Sequence, residues 1–124
     1  MLESISAVTL FVADMARSVR FYDALGFEMR YGGADSEFTS YHVGPGYMNL
    51  ALRSTHGTAP EIETAWGRAI LYVRDVDAMH TRILEAGFTP EFTPRDAFWG
   101  ERYFHVRDPD GHELSFAKLL DPAN

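Results

Sequence analysis

The feature that most constrains this chain is that it is written twice. Val8–Val12 is a short apolar, strand-prone run, and Asp14 follows where a helix N-cap would stand. Met15, Val19 and Tyr22 then fall on one helical face, and Gly26-Phe27 closes the unit. The second half repeats the pattern: Ile70–Val73 is strand-like, Asp75 is the cap, and Val76, Met79 and Ile83 form the apolar face before Gly87-Phe88. Twelve positions separate cap from glycine in both halves. Such agreement in cap, length and closing dipeptide marks a duplication.

Three strands are expected after each helix, at about 27–32, 37–43 and 47–53 in the first half and about 89–93, 102–107 and 112–117 in the second. Gly44-Pro45-Gly46 and Asp108-Pro109-Asp110-Gly111 suit the last turn of each half, because proline fixes φ and glycine accepts positive φ. The chain therefore reads as α+β, two tandem βαβββ modules at about 1–53 and 66–118, joined by a polar linker at about 54–65. At 124 residues, of which 46% are hydrophobic and 23% charged, it is expected to form one globular domain.

Charge and composition exclude several function classes. The formal net charge of -7 and the lack of a Lys/Arg cluster argue against a nucleic-acid partner and favour cationic small molecules. With no cysteine there can be no disulfide, thiolate metal site or cysteine nucleophile. No secretory signal and no apolar run near the ~20 residues of a membrane span are visible, so no membrane partner is expected and the cytoplasm is the expected compartment. Phosphate loops, nucleophile elbows and paired catalytic carboxylates are also not seen.

Val12-Ala13-Asp14-Met15 through Ser18, Phe21-Tyr22, Leu25-Gly26-Phe27 and the Asp108–Gly111 turn together resemble the vicinal-oxygen-chelate superfamily over nearly the whole chain. That superfamily holds glyoxalase I, extradiol dioxygenases, methylmalonyl-CoA epimerase, fosfomycin-resistance enzymes and bleomycin-binding proteins. The resemblance implies that the two modules curl into one cupped sheet around a central cavity. Metal-using members draw four ligands from the first and last strand of each half. Carried over, those places fall on Ala7, Arg68, Ser115 and one residue among Tyr47–Leu52, none of them His, Asp, Glu or Gln. The chain is accordingly expected to bind no metal and no other cofactor, like the bleomycin-resistance-type members, and to form a homodimer.

Arg68 has two readings: an anion-binding group for the ligand, or the partner of a nearby acid at the sheet edge. His42 and His105 occupy matching places in the repeat and are candidates for a ligand site, with Glu113 or Glu37 as neighbours. Aromatic content is 14%. Trp99 and Tyr103, together with Trp66, are candidates to stack on a planar ring, since Phe98–Arg102 resembles the segment that contributes to the binding groove of bleomycin-type proteins. His80 is expected to be solvated. The leading expectation is a protein that binds and sequesters an antibiotic-type small molecule; the rival is a glyoxalase- or dioxygenase-type enzyme acting on a small oxygenated substrate. An enzyme of that kind would gather three or more of His, Glu or Gln about one point.

Overall fold

The computed structural model describes residues 1–56 and 67–121. It divides the chain into two compact units, Met1–Glu63 and Thr64–Asn124. In the first, β1 (Ala7–Val12) leads to α1 (Met15–Ala24), followed by β2 (Glu28–Tyr31), β3 (Phe38–Val43) and β4 (Gly46–Leu52); a single helical turn, α2 (Arg53–His56), ends it. The second unit runs β5 (Arg68–Tyr72), α3 (Val76–Glu85), β6 (Arg95–Asp96), β7 (Glu101–Arg107) and β8 (Glu113–Leu119). Each unit is thus a βαβββ module carrying a four-stranded sheet, β1-β4-β3-β2 or β5-β8-β7-β6. The first strand of each pairs in parallel with the last, and the other pairings are antiparallel. A parallel neighbour needs a long crossover, which the helix and the two intervening strands supply.

The duplication reaches the backbone angles. Asp14 caps α1 at φ -139°, ψ 105°, accepting a hydrogen bond from the Arg17 N–H, and Asp75 caps α3 at φ -139°, ψ 104°, accepting from Ala78. Both helices give way to a glycine of positive φ, 93° at Gly26 and 91° at Gly87, a conformation that side chains with a Cβ resist.

Strand alternation gives each sheet a helix face and a helix-free face. In the first module Leu10, Val12, Tyr41, Met48 and Leu50 are buried on the α1 side with Phe21 and Tyr22. In the second, Leu71, Phe104, Val106, Leu114 and Phe116 are buried with Val76 and Ile83 of α3. Fully burying one such side chain contributes about 1.5–3 kcal/mol. Arg102 binds Asp77 of α3 through two nitrogens at 2.9 Å and Asp96 of β6 at 3.0 Å, tying helix, edge strand and β7 together. His80 is not simply solvated: its ring meets Phe104 edge-on at 5.0 Å.

Two boundaries differ from the sequence reading. The second strand of the second module lies at Arg95–Asp96 rather than 89–93. Pro90 and Pro94 lack N–H donors and bracket that stretch, so instead of a ladder it joins β7 through the bond from Glu91 N–H to the His105 carbonyl at 2.8 Å. The linker, expected from residue 54, begins instead with the turn of α2; residues 57–65 of it lie outside those described. Among the described residues no helix is long and apolar enough to cross a membrane.

Candidate functional site

Register decides what the helix-free face of the second module carries. Arg68 pairs with Glu113, Ile70 with Ser115, Ser115 with His105, and Tyr103 with both Ala117 and Arg95. Cross-strand partners share a face, so Arg68, Glu113, Ser115, His105, Tyr103 and Arg95 all stand opposite α3. The buried Phe104 and Phe116 alternate with them on the helix side.

At the centre lies an ionic cluster. The Arg68 Nε donates to Glu113 Oε2 at 2.6 Å, and the Arg107 Nε donates to Glu91 Oε1 at 2.9 Å. The other oxygen of each carboxylate, Glu113 Oε1 and Glu91 Oε2, stands 3.6 Å from His105 Nδ1. The His105 and Glu113 side chains are 12% and 8% exposed, against 47% for Arg68. Burial pushes the His105 imidazole below its usual value; Arg68 and Arg95 add to this while Glu113 and Glu91 oppose it, so the ring is neutral at pH 7. Burial pushes the Glu113 carboxyl up, but the Arg68 hydrogen bond and charge, with Glu91 and His105, outweigh it and leave the group below the usual carboxylate range.

Beside the cluster runs a row of rings. Phe98 and Trp99 are 5.1 Å apart, Trp99 and Tyr103 5.3 Å, and Tyr103 and His105 5.3 Å. Phe92 sits against both Tyr103 and His105, with the Arg95 guanidinium 3.7 Å above its ring. Trp99 is 53% exposed, so it is a surface ring and not part of the core. Its orientation is fixed by Glu101, which accepts from the Trp99 Nε1–H at 2.9 Å and from the Tyr72 hydroxyl.

The structure therefore gathers four of the six sequence candidates, Trp99, Tyr103, His105 and Arg68, on one face. Arg68 has the acid partner foreseen in one of its two readings, Glu113, but engages it through Nε. His42 belongs to the other module, where it stands in register with Glu28 and Tyr47 and lies 5.8 Å from the Tyr47 ring. Trp66 lies outside the described residues. Sequence reasoning missed Glu91, placed in a strand that does not form, and Arg107. The only signal for Glu91 was its position between two prolines.

The four metal-ligand places implied by the resemblance do not suit a metal. Ala7 has no donor and Arg68 is a cation bound to Glu113. Ser115 offers only a hydroxyl, and the matching place in β4, fixed by the Thr9–Asn49 and Ile70–Ser115 pairings, is the neutral amide Asn49, which donates to Thr9 at 3.2 Å. The Asp108–Gly111 turn is structural: the Asp108 carboxylate accepts from the backbone N–H groups of Asp110 and His112, both at 2.9 Å.

Comparison with known proteins agrees with this architecture. The family model of the Glyoxalase/Bleomycin resistance protein/Dioxygenase superfamily matches residues 4–116. An uncharacterized protein of Mycobacterium bovis is 43% identical over 54 residues, 44% of this chain and 36% of that protein, so the match spans about a third of the relative's length. A glyoxalase-related enzyme from Fulvimarina pelagi superposes with a TM-score of 0.77 at 22% identity, covering 98% of this chain and 90% of the other. Lactoylglutathione lyase from Agrobacterium tumefaciens gives 0.73 at 21% identity, with 94% of each chain covered. At these identities the two structures attest the fold alone.

Proposed function

Because the chain belongs to the Glyoxalase/Bleomycin resistance protein/Dioxygenase superfamily, we propose that it is a small-molecule-binding protein that takes a planar, oxygen-bearing compound of antibiotic type on the helix-free face of its second module and sequesters it. The observation that carries this reading is the ring row from the half-exposed Trp99 through Tyr103 to His105. A flat aromatic ligand gains stacking area on Trp99 at small cost, since Glu101 already holds the indole in place. The ligand's polar end then reaches Arg68, whose terminal nitrogens lie outside the Glu113 hydrogen bond. A homodimer is the assembly proposed for the working protein.

A titration in chelator tests this. With Trp66→Phe leaving Trp99 as the single tryptophan, bleomycin and 2,3-dihydroxybiphenyl are added while Trp99 emission is followed. Saturable quenching at one ligand per chain, lost in Tyr103→Ala and kept in the exposed-helix variant Leu84→Ser, is the expected result. No saturation with either probe would sink the binding reading as stated.

The enzymatic alternative has one observation in its favour. Glu91, His105 and Glu113 meet the requirement for three His/Glu groups about one point, with a neutral imidazole suited to accepting a proton. Consumption of 2,3-dihydroxybiphenyl or of a 2-oxoaldehyde–thiol adduct, abolished by His105→Ala, would favour it over sequestration.

A further inference from the structure

We infer that Glu91, His105 and Glu113 form a site for one divalent transition-metal ion, built from residues other than the four at which metal-using relatives carry ligands. The inference goes beyond the ligand reading above and does not rest on it.

The division of labour among the oxygens is the first argument. Each carboxylate gives one oxygen to an arginine, Glu113 Oε2 to Arg68 and Glu91 Oε1 to Arg107, and presents the other to His105 Nδ1, with the Arg107 Nη2 also 3.7 Å from Glu113 Oε1. Those two oxygens are 3.6 Å from Nδ1, too far for a hydrogen bond. Glu91, His105 and Glu113 each offer one ligand atom, and these lie within 4.8 Å of one another. Atoms that share one ion at about 2.0–2.2 Å stand about 3–3.6 Å apart. The two carboxylate–imidazole separations fit a common ion better than direct hydrogen bonds to the ring.

Support from the surroundings is the second argument. A carboxylate ligand keeps its direction when its other oxygen is hydrogen-bonded, and the two arginines provide that bond on both sides. The three residues come from different elements: Glu91 from the proline-bracketed segment, His105 from β7, Glu113 from β8. Backbone pairing fixes all three, through the β7–β8 ladder and the bond from Glu91 N–H to the His105 carbonyl. Exposure rises from 8% at Glu113 through 12% at His105 to 31% at Glu91, so the ion would be sheltered on one side and open to water or a ligand oxygen on the other.

Ligand chemistry selects the ion. One imidazole nitrogen with two carboxylate oxygens suits zinc, manganese or iron(II) better than magnesium or calcium, which favour all-oxygen sites. The guanidinium groups of Arg68 and Arg107 repel a cation, so micromolar rather than nanomolar affinity is expected.

The test uses tag-free, full-length protein stripped with chelator, dialysed and titrated with Zn2+ by calorimetry. One ion per chain should bind with a micromolar Kd, weakened at least tenfold in His105→Ala and Glu113→Gln but unchanged in Glu85→Gln, at an exposed carboxylate on α3. X-ray absorption of the zinc-loaded wild type gives a second readout that needs no variant: one imidazole among the ligands. Absence of stoichiometric binding, equal affinity in the His105 and Glu113 variants, or two or more imidazoles on the metal would each overturn the site. Because the tryptophan titration is run in chelator, failure of either proposal leaves the other to be judged separately.

Discussion

Replacing Arg68 with methionine should destabilise the protein more than replacing its partner Glu113 with glutamine, although both changes remove the same ion pair. The Glu113 side chain is 8% exposed and the Arg68 side chain 47% exposed. In Arg68→Met the buried carboxylate loses its 2.6 Å donor and is left with the more distant Arg107 Nη2 at 3.7 Å and a neutral His105 at 3.6 Å. A buried charged acceptor deprived of its hydrogen bond costs about 1–3 kcal/mol. In Glu113→Gln the group left behind is a half-exposed guanidinium that water can solvate, and an isosteric amide replaces a desolvated charge. That change should cost about 1 kcal/mol or less. The double variant should lie close to Glu113→Gln alone, giving a coupling of about 1–3 kcal/mol, the whole cost of Arg68→Met. Urea unfolding at pH 7 in chelator measures all four proteins, with midpoints compared at constant m-value. The sign with pH follows from linkage. Glu113 is held below its ordinary 4.5, chiefly by Arg68 acting against burial. Its contribution is complete well above 4.5 and is lost as pH falls through the lowered folded value, so the gap between wild type and Arg68→Met should close in acid. If Glu113→Gln costs as much as Arg68→Met, or the gap persists in acid, the argument from asymmetric burial is wrong.

Other consequences are open to measurement. Asp14→Ala and Asp75→Ala should each cost about 1 kcal/mol, and by similar amounts, because the two caps have the same geometry; thermal unfolding of both variants checks this. Phe104→Ala, at a fully buried position between Phe116 and His80, should cost about 3–5 kcal/mol in the same assay. NMR titration of His105 in chelator should show its pKa rising in Arg68→Met, which removes a cation, and falling in Glu113→Gln, which removes an anion.

What the sequence made legible was whatever depends on neighbours along the chain. Caps, helix lengths, closing glycines and the Asp108 turn are local hydrogen-bonding devices, and their repetition sufficed to read two βαβββ modules. Arg68 with an acid at the sheet edge was also within reach, since strand alternation leaves few candidates. Glu91 was not. Its approach to His105 depends on two prolines denying the segment a full ladder while the Glu91 N–H still bonds to β7, and no periodicity records that balance. A strand at 89–93 would also have alternated its side chains between faces, so the misplaced strand and the missed residue are one error. The same reasoning explains why four failed ligand positions spoke only for those positions. Glu113 lies two residues before Ser115 on the same strand and therefore on the same face. A shift of two along a strand moves a carboxylate by about 7 Å without turning it away, so a face that lacks ligands at one rung can carry them at the next.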